Sequence, residues 1–268
     1  MEPVAVEPVD LDAYFARIGY TGAREPTLAN LQAIHLAHAT QVPFENLDIL
    51  LGKSIKIDLP SLQQKIVQQR RGGYCFEQNL LLAAVLEQLG FRVTRLSARV
   101  RFMVQHVLPR THTVLKVEID GQSWLADVGF GGWGLLQPIA LQTEELQRQF
   151  LWQYRLRREG DYWVLSAPVP ETWIDLYAFT MEPHLPVDYE PANWFVSTHP
   201  DSIFVRGIIA QRALPEERWL LRGHELTVVR AGGQESRILA GNDELLSVLA
   251  KRFLLDFPPG TEFRAESV

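Results

Sequence analysis

Leu80, Leu81, Leu82, Ala83, Ala84, Val85, Leu86 and Leu89 make the segment 75–89 apolar nearly all round if it is wound as a helix. A helix of that kind has no face to give to water, so it is predicted to lie at the centre of the fold with other elements packed on every side. Gly72-Gly73 break the chain before it and Gly90 ends it. Cys75, the one cysteine of the chain, stands at its N-terminus.

Upstream, the pattern is helical. Asp10 is placed to cap a helix carrying Leu11, Tyr14, Phe15 and Ile18, which Gly19 ends. Thr27 is placed to cap a second, with Leu28, Leu31 and Ile34, that stops near Gln41 because Pro43 biases Val42 toward an extended conformation. Pro60 suits the start of a third, running to about residue 70.

After Gly90 the period changes to that of strands. Segments 91–102, 111–119 and 122–130 alternate, the last two around Asp120-Gly121, a strong signal for a two-residue hairpin turn. Further strands are predicted at 150–158, 162–167 and 173–180, with a turn at Gly160-Asp161, which suggests a small antiparallel barrel or sandwich. A connector with Pro183, Pro186 and Pro191 leads to short strands at 203–205, 219–221 and 225–230, then to a helix capped at Asn242. Glu144-Glu145 reads as a solvated helix start. The class is α+β, divided into a helical unit (1–90), a β-barrel unit (91–190) and a C-terminal α/β unit (191–268).

Composition excludes several functions. A net charge of −6 without a long basic run argues against a nucleic-acid partner. The longest apolar stretch, 80–86, is too short to span a bilayer, so no membrane partner is expected. The acidic start with Glu2, Glu7 and Asp10 lacks the pattern of a secretory leader, and the protein is expected in the cytoplasm. A single cysteine rules out an internal disulfide and a cysteine zinc cage. His35 and His38 share one side of the second helix, but no carboxylate or cysteine stands at matching spacing, and no metal is expected.

A lone cysteine is usually a small buried hydrophobe. At a helix N-terminus, however, unpaired N–H groups and the positive dipole end favour thiolate over thiol. A nucleophile then needs a base, and the base an orienting group. Asp120-Gly121 as a two-residue turn opposes Ile119 to Gln122 and, continued along the strands, Val114 to Asp127 and His112 to Gly129. His112 and Asp127 therefore share one face as diagonal neighbours. A carboxylate within Trp124-Leu125-Ala126-Asp127-Val128 needs a partner, since an isolated buried charge is costly, and His112 is the partner that explains both residues. Asp127 would hold the ring in one tautomer and leave its second nitrogen for the proton of Cys75.

Arg71-Gly72-Gly73-Tyr74-Cys75-Phe76-Glu77-Gln78-Asn79, with Val42-Pro43-Phe44-Glu45-Asn46 before it and Arg110-Thr111-His112-Thr113 and Asp127-Val128-Gly129-Phe130-Gly131-Gly132 after it, resembles the arylamine N-acetyltransferase family. Gln78 departs from the apolar residue that many relatives carry. The resemblance implies an N-terminal helical bundle, a central antiparallel β-barrel and a C-terminal α/β lid around a cysteine-proteinase-like core. It implies Cys75, His112 and Asp127 as catalytic residues and acetyl-coenzyme A as the donor cosubstrate. An acetyl-cysteine would pass its acetyl group to an arylamine, hydrazine or N-hydroxyarylamine in a ping-pong reaction. By the same matching, Phe44, Phe130 and Phe204, the last on a C-terminal strand, would wall the acceptor, and Gly131 and Gly132 would border the pantetheine and pyrophosphate. Three alternatives stay open: an amide synthase acting on a polyketide acyl chain, a cysteine-dependent acyl hydrolase, and a non-catalytic binding module.

Overall fold

The computed structural model describes residues 8–142, 144–169 and 172–264. Helix α1 (Leu11–Ile18) begins where Asp10 accepts the Ala13 N–H at 2.9 Å, and α2 (Leu28–Gln41) where Thr27 accepts that of Asn30 at 3.3 Å. A two-residue strand, β1 (Phe44–Glu45), and the short α3 (Leu47–Leu50) follow. The third predicted helix starts one residue before Pro60, because Asp58 is its cap. It is α4 (Leu59–Leu62), and it widens into a π-helical turn, Gln63–Gln68. Helix α5 (Cys75–Gln88) is the central one, with Leu81, Leu82, Ala83, Val85 and Leu86 fully buried.

The middle of the chain forms β2 (Arg92–Val100), β3 (His112–Ile119), β4 (Gln122–Ala126), β5 (Ile139–Ala140), β6 (Gln147–Gln149), β7 (Trp152–Glu159), β8 (Tyr162–Pro168) and β9 (Trp173–Pro183). They make one antiparallel sheet, in the order β5-β4-β3-β2-β9-β8-β7-β6, curled into a nearly closed barrel. Its interior is a core that includes Leu96, Leu125, Tyr154, Leu165 and Leu176. The β3–β4 register is the predicted one, with Ile119 opposite Gln122 and Leu115 opposite Ala126. Asp120 (φ 50°) and Gly121 (φ 77°) both take the left-handed conformation that a type I′ turn requires. Glu144 and Glu145 start no helix; Glu144 instead accepts the Arg158 N–H at 3.1 Å, beside β7.

The proline-bearing connector is more ordered than its composition suggests. A 3₁₀ turn (Pro186–Tyr189) runs into α6 (Glu190–Thr198), and Pro191 sits in the first turn, where its missing N–H is not needed. The segment expected as a strand at 203–205 is a helix, α7 (Ile203–Arg206), because Ser202 caps it by accepting the Phe204 N–H at 3.2 Å. Strands β10 (Ile209–Ala213), β11 (Glu217–Arg222), β12 (Glu225–Arg230) and β13 (Gly233–Ile238) then form a sheet in the order β1-β10-β11-β12-β13. Helix α8 (Asn242–Phe253) closes it, with Gly241 rather than Asn242 as the cap residue. Among the described residues, no helix is long and apolar enough to cross a membrane.

Candidate functional site

The approach to Cys75 is built by two segments lying against each other. Glu45 N–H donates to the Gly73 carbonyl at 3.1 Å, Gly73 N–H to the Pro43 carbonyl at 3.3 Å, and the Arg71 guanidinium binds Glu45 at 2.7 Å and Asp48 at 2.9 Å. A Cβ at Gly72 would lie 2.1 Å from the Pro43 carbonyl oxygen, so only glycine permits the contact. Glu77 accepts the Tyr74 N–H at 3.0 Å, which caps α5, and receives Lys65 from the π-helical turn at 2.7 Å. Burial tends to raise the carboxyls of Asp48 and Glu77. At Asp48 the charges of Lys65, Arg71 and Lys53 prevail and bring it to about 2, whereas at Glu77 burial prevails. Gln78 is buried and donates to the Gly73 carbonyl at 2.6 Å, so a polar residue at this position serves the turn before Cys75.

Cys75 is the first residue of α5, which leaves its N–H outside the intrahelical ladder. Its sulfur donates to the Thr111 carbonyl at 3.5 Å and interacts with the His112 ring. His112 Nε2 lies 2.8 Å from Asp127 Oδ2, and both residues are buried. Burial would lower the basicity of His112, but the Asp127 charge and hydrogen bond, helped by Cys75, overcome it and hold the imidazole up at about 10. Asp127 shifts the opposite way. Burial would raise it, and His112, the Asn79 amide and the Gly129 N–H together keep it below the ordinary carboxylate value.

The strand expected over 122–130 ends at Ala126. From Asp127 the chain leaves the sheet as a loop, since the Asp127 N–H donates to His35 Nε2 at 3.1 Å rather than to a neighbouring strand. Three residues without a sequence-assigned role complete the constellation. Asn79, one turn after Cys75, donates to Asp127 Oδ1 at 2.8 Å and accepts the Val128 N–H at 3.0 Å. Tyr177 places its ring 4.9 Å from that of His112, and its phenol is held protonated by burial and then by the Asp127 charge. His35 is the third. A polar side chain on an apolar helix, one turn from the cysteine, is the signal that points to Asn79; Tyr177 lies in an ordinary apolar strand and carries none.

The expected aromatic walls divide into two groups. Phe44 and Phe204 meet at 5.9 Å, and Phe204 meets Tyr74 at 5.6 Å, on the side of the residue before Cys75. Phe130 packs instead on the His112 and Tyr177 rings, at 5.4 Å and 5.3 Å. Phe204 reaches this position from a helix, not from the expected strand. Gly132 N–H is already engaged by Gln211 Oε1 at 2.7 Å, and its carbonyl by the buried Arg218. A Cβ at Gly131 would run into Gln211 and Phe44, and one at Gly132 into Leu220, so the missing side chains make room for these neighbours. Among the described residues, no group of three or more His, Cys, Asp or Glu is arranged to hold a metal ion.

Comparison with known proteins gives a consistent set of relatives. Residues 27–260 match a family model described as N-acetyltransferase. The arylamine N-acetyltransferase of Mycobacterium tuberculosis is 43% identical over 251 residues, which cover 91% of this chain and 89% of that protein. A protein of Salmonella typhimurium named arylamine N-acetyltransferase / N-hydroxyarylamine O-acetyltransferase is 39% identical, covering 77% of this chain and 74% of its own length. Among solved structures, the arylamine N-acetyltransferase of Mycobacterium marinum in complex with CoA superposes with a TM-score of 0.87 at 41% identity, covering 91% of this chain and 92% of that one.

Proposed function

The chain belongs to the arylamine N-acetyltransferase family, and from that premise we propose that it transfers the acetyl group of acetyl-coenzyme A to an arylamine or hydrazine nitrogen, or to the oxygen of an N-hydroxyarylamine. Cys75, His112 and Asp127 are the catalytic residues of this reading. The observation that carries it is the 2.8 Å bond between His112 and Asp127, buried beside the chain's one cysteine.

His112, whose imidazole is raised to about 10, takes the proton of Cys75, and the thiolate so formed is the nucleophile. The thiolate attacks the acetyl carbonyl and a tetrahedral oxyanion forms, with the Cys75 N–H at the start of α5 as one donor to it. Collapse breaks the bond to coenzyme A, whose sulfur leaves with the proton of His112. The acetyl-cysteine keeps its transfer potential, because one thioester has replaced another. An amine then attacks that carbonyl, His112 takes the amine proton, and the Cys75 thiolate departs. Asp127 stays ionised throughout and keeps the ring aligned. In this reading Phe44, Phe204 and Phe130 receive the aromatic acceptor, and the segment with Gly131 and Gly132 borders the pantetheine arm.

Intact-mass measurement tests this directly. Incubation with acetyl-coenzyme A is expected to add one acetyl group to the parent and none to Cys75→Ala, and the adduct is expected to vanish when an aromatic amine is added. An adduct that decays equally fast without amine would make the protein an acyl hydrolase, and no adduct under any condition would reject the mechanism.

A further inference from the structure

The β3–β4 ladder closes at Leu115 and Ala126, so the Asp127 N–H is the first one beyond it. Asp127 is fully buried, and an unpaired N–H there would be expensive. His35, on α2 and equally buried, supplies the acceptor through Nε2 at 3.1 Å. A nitrogen that accepts carries no proton, so the single proton of the neutral ring sits on Nδ1, which faces the Leu136 carbonyl at 3.0 Å. One imidazole in one tautomer thus ties together Asp127 and Leu136, the two ends of the segment that also carries Gly129, Phe130, Gly131 and Gly132.

Burial lowers the basicity of His35 to about 4, against the pull of the Leu136 carbonyl and of Asp127, which keeps the ring neutral at neutral pH. The titratable groups acting on it are Asp127 and His38. The rest of the loop has its own ties. Gln211 takes the Gly132 N–H, Arg218 the carbonyls of Gly132 and Gly134, and Gln149 the Leu136 N–H at 2.8 Å. Asn79 holds Asp127 Oδ1 and the Val128 N–H, so loss of the ring would leave the Asp127 N–H as the one main-chain group of that end without its acceptor.

We infer that His35 is a positioning residue, a clamp whose fixed tautomer sets the backbone of Asp127 and through it the alignment of the Asp127 carboxylate on His112. The inference rests on the relay reading above, and it predicts a specific pattern of rescue. Glutamine at this position has an amide oxygen and an NH₂ spaced much like the two ring nitrogens and can accept from Asp127 while donating to Leu136. Leucine fills the space and can do neither.

The test compares the parent, His35→Gln and His35→Leu by the rate at which iodoacetamide alkylates Cys75 at neutral pH. His35→Leu is expected to slow it by about 10- to 100-fold, the scale of a small misplacement in a catalytic group, while His35→Gln stays close to the parent. A folded His35→Leu that reacts like the parent, or a folded His35→Gln as slow as His35→Leu, overturns the clamp. The parent alone supplies a second readout, independent of variant folding: ¹⁵N shifts of the histidine rings, with the His35 signal assigned by through-bond correlation to its own backbone. A neutral ring protonated on Nδ1 is expected, and a proton on Nε2 overturns the clamp. Should the parent thiol itself react no faster than free cysteine, the acetyl-transfer reading fails, while the tautomer still decides the clamp.

Discussion

A Cβ added to Gly129 would come within 2.7 Å of the Cys75 Cα and 2.7 Å of the Asn79 Nδ2, so the loop that carries the acid lies directly on the first turn of the nucleophile's helix. No side chain fits between them. Gly129→Ala is expected to push the loop off α5, lengthen the His112–Asp127 contact and reduce the first acetyl transfer by about 100-fold. Overpacking of this kind destabilises by about 1–3 kcal/mol. Stopped-flow release of coenzyme A and a thermal melt measure the two effects, and a parent-like burst in the alanine variant would show that the contact is not needed.

Asn79 satisfies three groups at once: Asp127 Oδ1, the Val128 N–H and the Thr113 carbonyl at 2.8 Å. Asn79→Leu leaves all of them buried without that partner. The expected loss is at least about 1–3 kcal/mol in urea denaturation, the cost of a single buried polar group whose desolvation is no longer offset by a hydrogen bond. Cys75 alkylation should slow in parallel, because Asp127 Oδ1 loses one of its two donors and keeps only the Gly129 N–H. Equal stability in parent and variant would contradict this role.

The two kinds of buried histidine give opposite limbs of a stability curve against pH. His112 is raised to about 10, so its contribution is complete below the unfolded value of 6.5 and is lost as pH rises through about 10. His35 and His38 are lowered to about 4 and about 3, chiefly by burial, so stability is complete above 6.5 and falls as acid drives protons onto them. Thermal melts across pH should show both limbs, and His38→Gln should flatten the acid one. An acid limb unchanged in that variant would remove His38 from the account.

The neighbourhood of His112 and Asp127 was legible in part, because a two-residue turn fixes the register as far as the pairing of Leu115 with Ala126. The expected pairs Val114–Asp127 and His112–Gly129 do not form, since the chain leaves the ladder at Asp127, and His112 meets Asp127 through a side-chain bond instead. Caps at Asp10 and Thr27 were equally local and equally readable. What could not be read is what depends on distant partners. Phe44–Glu45 is too short to show a period and becomes a strand only because Ile209–Ala213 lies beside it. Ile203–Arg206 has the β-branched residues of a strand, yet Ser202 turns it into a helix. His35 was weighed as a metal ligand and set aside without a role, because its partners are main-chain groups about a hundred positions away.

Strand β1 has a consequence for how the protein is made. Phe44 and Glu45 pair with Gln211 and Ala210, and Phe44 also bridges to Gly73 beside the nucleophile. Synthesis from the N-terminus delivers Cys75, His112 and Asp127 well before their supporting edge exists. A ribosome-bound chain therefore holds every reactive group in an unfinished setting until the last sheet emerges, and closing that long-range pairing is a slow step by the entropy of the loop it must close. Maturation of the thiol's surroundings would thus wait for Ile209–Ala213, so a product truncated before that strand would carry Cys75 without the edge that braces it.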